Sequence, residues 1–225
     1  MYPVTNSYAW LPRSAWTDNN AWRRLTHWIS ENSPHEAIPL IVTPQLDNSL
    51  NSPDGLRQMA DNAERQNEHG HGSKNWMAGD GPIVIVWPRA QTVQRRMQEV
   101  AGLSGQSIIL LEQETSDPHF PSFQGWANAV GAFNAATDKA ENSHPWLAEM
   151  LDDVFTSYEN ELALSPASAS AAYPPSAHVL RGKLKGLRTD GYDEDFIVTY
   201  AVGLGYQGNL ARLREHYRSS SSISG

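Results

Sequence analysis

Three short runs of apolar residues, Ile38-Pro39-Leu40-Ile41-Val42-Thr43, Ile83-Val84-Ile85-Val86-Trp87 and Ile108-Ile109-Leu110-Leu111, constrain the fold of this chain more than any other feature. Each is too short for a helix and has no polar face, and Pro44 and Pro88 stop the first two. Such runs read as strands buried on both sides. The stretches between them read as helices. Ser52, Pro53 and Asp54 supply an N-cap, a first-turn proline and a first-turn acid ahead of the apolar stripe Leu56, Met59, Ala60 and Ala63. Thr92 is placed to cap a second helix with Val93, Met97, Val100 and Ala101 inward, and Gly102 and Gly105 bracket the turn into the third strand. The order β-α-β-α-β requires crossover connections. It therefore predicts an α/β, three-layer, Rossmann-like domain with a short, mostly parallel sheet and right-handed connections.

The flanks extend this frame. Trp10, Trp16, Trp22 and Trp28 fall at six-residue intervals, which suit neither one helix face nor a strand, and their rings are expected to cover the edge of the core. A helix over about residues 20–30, capped by Asp18 or Asn19, belongs to the same segment. After the third strand, a helix is expected from Ser122 to Thr137, with small residues (Gly125, Ala129, Gly131, Ala132) allowing close packing and Phe123, Trp126, Val130 and Phe133 as its bulky face. Pro145 opens a longer helix. Leu147, Leu151, Val154, Tyr158 and Leu162 form its buried stripe, while Glu149, Asp152, Asp153, Glu159 and Glu161 face water. The expected organisation is an α/β domain over 1–163, an Ala/Ser/Pro-rich linker over 164–175, a helical module over 176–218 and a disordered tail over 219–225. Within that small C-terminal three-helix module, Leu180, Leu184 and Leu187 mark the first helix, Phe196, Ile197 and Tyr200 the second, and Leu210, Leu213 and Tyr217 the third.

Composition narrows the classes of function. At 225 residues a well-buried domain needs no staple, and the absence of cysteine removes thiolate zinc sites, iron–sulfur clusters and thiol nucleophiles. No run approaches the roughly 20 apolar residues of a membrane helix, and the first residues lack the order of a signal peptide, so no membrane association and a cytoplasmic location are expected. The formal charge of -8 opposes non-specific attraction to nucleic acid or anionic lipid. It is unevenly spread, with seven Lys/Arg against five Asp/Glu over 176–225, so the tail end is mildly basic on an acidic body.

In an open parallel sheet, ligands bind beyond the carboxyl ends of the strands. That rule selects Asp47, Arg89, Glu112, Glu114 and His119 as a candidate ligand-binding set for a small polar or phosphorylated molecule, with Arg89 also preceding a helix N-terminus that favours an anion. Glu112, Glu114 and His119 are the acid–base candidates, since neighbouring carboxylates can separate their pKa values. Glu68, His69 and His71 lie in a glycine-punctuated loop and could offer oxygen and imidazole ligands, but their spacing is not diagnostic; a flexible polar loop is the favoured reading, no metal is expected, and the sequence leaves any cofactor unknown. Gly203-Leu204-Gly205-Tyr206-Gln207-Gly208 matches a dinucleotide-binding pattern, but no second strand or ribose-binding acid follows it; the glycines read better as a helix stop. The alternative function is docking to a protein or nucleic-acid partner through the helical module, with Arg181, Lys185, Arg188, Arg212 and Arg214 as the candidate phosphate contacts. The strand–helix order is shared by many Rossmann-type and helicase-type sheets, and so widely shared a fold assigns no function. Enzyme, binding protein and docking protein all stay open at this point.

Overall fold

The computed structural model describes residues 6–33, 37–44, 54–61, 63–72, 81–101, 103, 105–112, 121–142, 144–164 and 175–220. The strands are β1 (Ser7–Leu11), β2 (Leu40–Thr43), β3 (Glu64–Asn67), β4 (Ile83–Val86), β5 (Ser107–Leu111), β6 (Phe133–Asn134) and β7 (Lys139–Ala140). The helices are α1 (Asn19–Asn32), α2 (Asp54–Ala60), α3 (Ala90–Glu99), α4 (Gln124–Val130), α5 (Pro145–Leu164), α6 (Pro175–Thr189), α7 (Glu194–Gly203) and α8 (Leu210–Ser219). The strands form one sheet in the order β3-β2-β4-β5-β1-β6-β7, parallel except for the β6–β7 pair. The protein is thus α/β, with a mostly parallel sheet between helices on both faces and a helical C-terminal region. No helix among the described residues is long and apolar enough to cross a membrane.

Alternation along the strands builds the layers. Tyr8, Trp10, Leu40, Val42, Ile83, Ile85, Ile108 and Leu110 face the cluster made with α3, α4, α5 and the three C-terminal helices. Ala9, Leu11, Ile41, Val84, Val86, Ile109 and Leu111 face α1 and α2. The C-terminal helices enter the first of these clusters directly through Leu180, Leu184, Leu187, Tyr200 and Leu213. At their centre, Ile197 to Val202 of α7 are buried without interruption, because α7 packs against α3, α4 and α8. Asp193 caps α7 by accepting from the Phe196 N–H at 2.7 Å. The Gly203–Gly208 stretch therefore ends a helix, and residues 196–200 that precede it are helical, so the dinucleotide pattern has no strand to build on.

Several local expectations are corrected. The helix expected over 122–137 stops at Val130, because Gly131 adopts φ 63° and closes the helix with bonds from its N–H back to the Ala127 and Asn128 carbonyls; the chain then forms β6 beside β1. Gly131 is a stop, not a packing residue. Thr92 lies inside α3, whose N-cap position is Arg89. Ala63 lies beyond α2, and the polar segment Glu64–Asn67 is an edge strand. Of the α5 acids expected in water, Glu159 accepts from the Tyr206 hydroxyl at 2.8 Å and Glu161 accepts from both the N–H and the hydroxyl of Ser176. Ser52 and Pro53 lie outside the described residues, as do 165–174 and 221–225.

One buried histidine gives the fold a pH dependence. His216 has no exposed surface, its Nδ1 accepts from Arg181 Nε at 3.1 Å, and its Nε2 lies 2.9 Å from the Tyr158 hydroxyl. Arginine can only donate, so the imidazole is neutral with its proton on Nε2. Burial, reinforced by the Arg181 charge, lowers its pKa to about 4 from an ordinary 6.5. Between those values the unfolded chain binds a proton that the native state refuses, so stability falls as pH drops from 6.5 through 4. The loss expected from this group is on the order of 3 kcal/mol. Urea titrations across this range should give a steeper acid loss for the wild type than for His216→Asn; parallel pH profiles would remove His216 as the source.

Candidate functional site

The parallel strands end on one edge of the sheet, and their exits diverge there. From β1 and β2 the chain passes to α1 and α2 on one face, whereas from β4 and β5 it passes to α3 and α4 on the other. Since β1 lies beside β5 and β2 beside β4, the chain parts at two places along this edge, on either side of the β4–β5 pair. In open α/β sheets such points of divergence are the usual location of ligands.

Glu112 stands at the β5–β1 divergence. Its own N–H continues the sheet by donating to the Leu11 carbonyl at 3.0 Å, and its side chain, 4% exposed, turns toward α4. There Oε1 accepts from Trp10 Nε1 at 3.0 Å and from the Phe123 N–H, while Oε2 accepts from the Arg13 N–H at 3.4 Å and lies 3.6 Å from the Arg13 guanidinium. Burial pushes this carboxyl above the ordinary carboxylate range, although the bonds from Phe123 and Trp10 and the Arg13 charge oppose the shift. Glu112 thereby ties the end of β5 to the loop after β1 and to the start of α4.

Trp87 follows β4. Its N–H donates to the Leu111 carbonyl at 2.9 Å, but its own φ is 55°, a left-handed conformation in which a bulky side chain is rare. Its indole Nε1 is buried and has no hydrogen-bond partner among the described residues. Strain of this kind costs about 1–3 kcal/mol and concentrates at functional sites. Nothing in the sequence signals it.

Arg89 is engaged within the protein. Its Nη1 donates to Glu68 Oε1 at 2.9 Å, the Thr92 hydroxyl donates to Glu68 Oε2 at 3.4 Å, and Arg95 Nη2 donates to the Glu68 carbonyl. The anion expected at the start of α3 is supplied here by the Glu68 carboxylate, from the loop after β3. Thus Glu112 and Arg89 follow neighbouring strands, while Asp47, Glu114 and His119 lie outside the described residues. Arg13, Glu68 and Trp87 join the edge without having been selected as ligand-binding residues from the sequence.

The basic residues of the C-terminal helices are largely paired as well. Arg214 Nη1 bonds Glu194 at 2.7 Å and Asp195 at 2.9 Å, and Arg218 grips Glu194 with two bonds of 2.7 and 2.8 Å. Burial works against the Glu194 charge, but the bonds from Arg218 and Arg214 outweigh it and hold the carboxyl below its ordinary range. Arg181 bonds His216, and the Arg188 guanidinium sits 5.7 Å from the centre of the Tyr217 ring. Arg212 is half-buried and Lys185 is exposed.

No family model matches the chain, and no significant match exists among curated proteins or solved structures.

Proposed function

We propose that this protein binds a small polar or phosphorylated molecule in the crevice at the carboxyl ends of β1, β5 and β4. The observation that carries the reading is Trp87: a strained aromatic residue whose buried indole N–H has no acceptor among the described residues, located where the chain diverges. A buried donor left unpaired costs free energy that an acceptor on a ligand would recover. Glu112, saturated by protein donors, acts as a positioning residue that fixes the walls of the crevice. The Glu68–Arg89 pair closes the β3 side, and Arg89 would exchange that carboxylate for a ligand anion.

A thermal-shift screen with ribose 5-phosphate, adenosine monophosphate and inorganic phosphate tests this. A ligand at about 100 times its Kd adds about 2.7 kcal/mol, which for a chain of this size is a rise of roughly 5–10 °C. At least one probe should produce such a rise, and Trp87→Phe, which keeps a ring but loses the N–H, should cut it by half or more. An unmoved melting temperature with every probe, or an undiminished rise in Trp87→Phe, would defeat the proposal.

A further inference from the structure

A concavity lies between α1 and α2. α2 meets α1 through Gly55, whose backbone lies so close to the Trp22 ring that a Cβ on Gly55 would sit 2.7 Å from Trp22 Cε3. Beside this contact the helices enclose a groove of about 510 Å³, of the size that holds small molecules. Its floor is the edge of Trp22, which is 3% exposed, and its sides are polar, from Arg23, Thr26, His27 and Ser30 on α1 and Asp54 and Gln58 on α2.

Two of the arginines near this groove are paired. Arg57 pairs with Asp54 at 3.2 Å, His27 lies 3.3 Å from Glu31, and Arg24, on the neighbouring face, lies 3.5 Å from Asp18. Arg23 makes no ion pair among the described residues and is exposed. The hydroxyls have a fixed sense. Thr26 donates to the Trp22 carbonyl at 2.9 Å and Ser30 to the His27 carbonyl at 2.6 Å, which leaves both oxygens as acceptors toward the groove. Gln58 adds both a donor and an acceptor. Arg23, Thr26 and Ser30 recur at three- and four-residue intervals on one helix face, over roughly 10 Å at 1.5 Å per residue.

We infer that this groove is a binding site for a polyhydroxylated small molecule carrying one anionic group. The anion, a phosphate or a carboxylate, pairs with Arg23, and the hydroxyls donate to Thr26 and Ser30. The site is distinct from the crevice at the strand ends, because its lining comes from α1 and α2 alone and includes none of Arg13, Trp87, Arg89 and Glu112. Neither reading depends on the other.

The test is a residue-resolved ¹H–¹⁵N NMR titration of the full chain with glucose 6-phosphate, gluconate and neutral glucose. One or both charged probes should shift the amides of Arg23, His27, Gly55 and Gln58 and the Trp22 indole, with glucose at least about tenfold weaker, the usual value of a charge-assisted contact. Arg23→Ala and Arg23→Glu, both at an exposed position, should weaken the charged probe by about tenfold or more while the remaining spectrum stays that of the folded protein. Shifts confined to Trp87, Glu112 and their neighbours would assign the probe to the crevice and overturn the groove. The inference is equally overturned if glucose binds as well as its phosphate, if both Arg23 variants bind like the wild type, or if no probe shifts these signals.

Discussion

Gly125→Ala is expected to destabilise the protein by at least about 3 kcal/mol, the upper part of the range for overpacking a core. A Cβ at this position would lie 2.0 Å from the Phe196 carbonyl oxygen and 2.7 Å from Thr199 Oγ1. The first obstacle is backbone and cannot rotate away, so α4 and α7 would have to separate. That movement would open the cluster where α7, buried from Ile197 to Val202, meets Trp126 and the sheet. The effect should greatly exceed that of Gly182→Ala on the exposed face of α6, where a Cβ meets nothing within 4 Å. At Gly182 the exchange should instead stabilise by about 0.5–1 kcal/mol, because alanine has less conformational freedom to lose and a higher helix propensity. Urea denaturation of the two variants provides the comparison. Equal and small changes would mean that α4 and α7 are not in the tight contact described.

The second large effect is expected at Glu112. Removing its carboxylate in Glu112→Ala leaves the Trp10 indole N–H and the Phe123 N–H without this acceptor. Each donor left unsatisfied costs about 1–3 kcal/mol, so a total of roughly 2–6 kcal/mol is expected. Glu112→Gln keeps one carbonyl oxygen for these donors and should cost about 1–2 kcal/mol. The two variants separate packing from bonding. The pH dependence has a definite sign: the native carboxyl is raised above its ordinary 4.5, so the native state binds the proton more tightly than the unfolded chain does. The stability advantage of the wild type over Glu112→Gln should therefore be largest in acid and decline as pH rises above 4.5. This runs opposite to the His216 contribution, and denaturation at several pH values resolves both. An advantage that grew with pH would show that the carboxylate is stabilised as an anion.

The central strands were legible because they are buried on both faces and so carry nearly unbroken apolar runs. β1 was not, although it lies between β5 and β6, because Ser7-Tyr8-Ala9-Trp10-Leu11 mixes small and aromatic residues and its tryptophan seemed to belong to the six-residue series. The series dissolves in the structure: Trp10 faces α4, whereas Trp16 and Trp22 pack edge to face on the opposite side of the sheet. β3 escaped because an edge strand such as Glu64-Arg65-Gln66-Asn67 is held by the backbone ladder from β2 and needs no apolar side chain.

The site was legible only as a location. The rule for open sheets led to the carboxyl ends and hence to Glu112 and Arg89, but their partners are tertiary. Glu112 bonds Trp10 across 102 residues and Arg89 bonds Glu68 across 21, separations at which no local pattern operates. The left-handed conformation of Trp87 runs against its own residue preference, so the sequence argued against it. The arginines of α8 read as a basic face because the sequence does not show that Glu194 and Asp195 fold back against them.

The claim that a ligand seats at Trp87 is tested most directly by ¹⁹F NMR of the protein labelled with 5-fluorotryptophan. The chain has eight tryptophans, and Trp87→Phe identifies the Trp87 signal by its disappearance. With the phosphorylated probe that raises the melting temperature at saturation, the Trp87 signal should shift, together with that of Trp10 behind Glu112. A Trp87 signal that stays in place while another tryptophan responds would contradict the account.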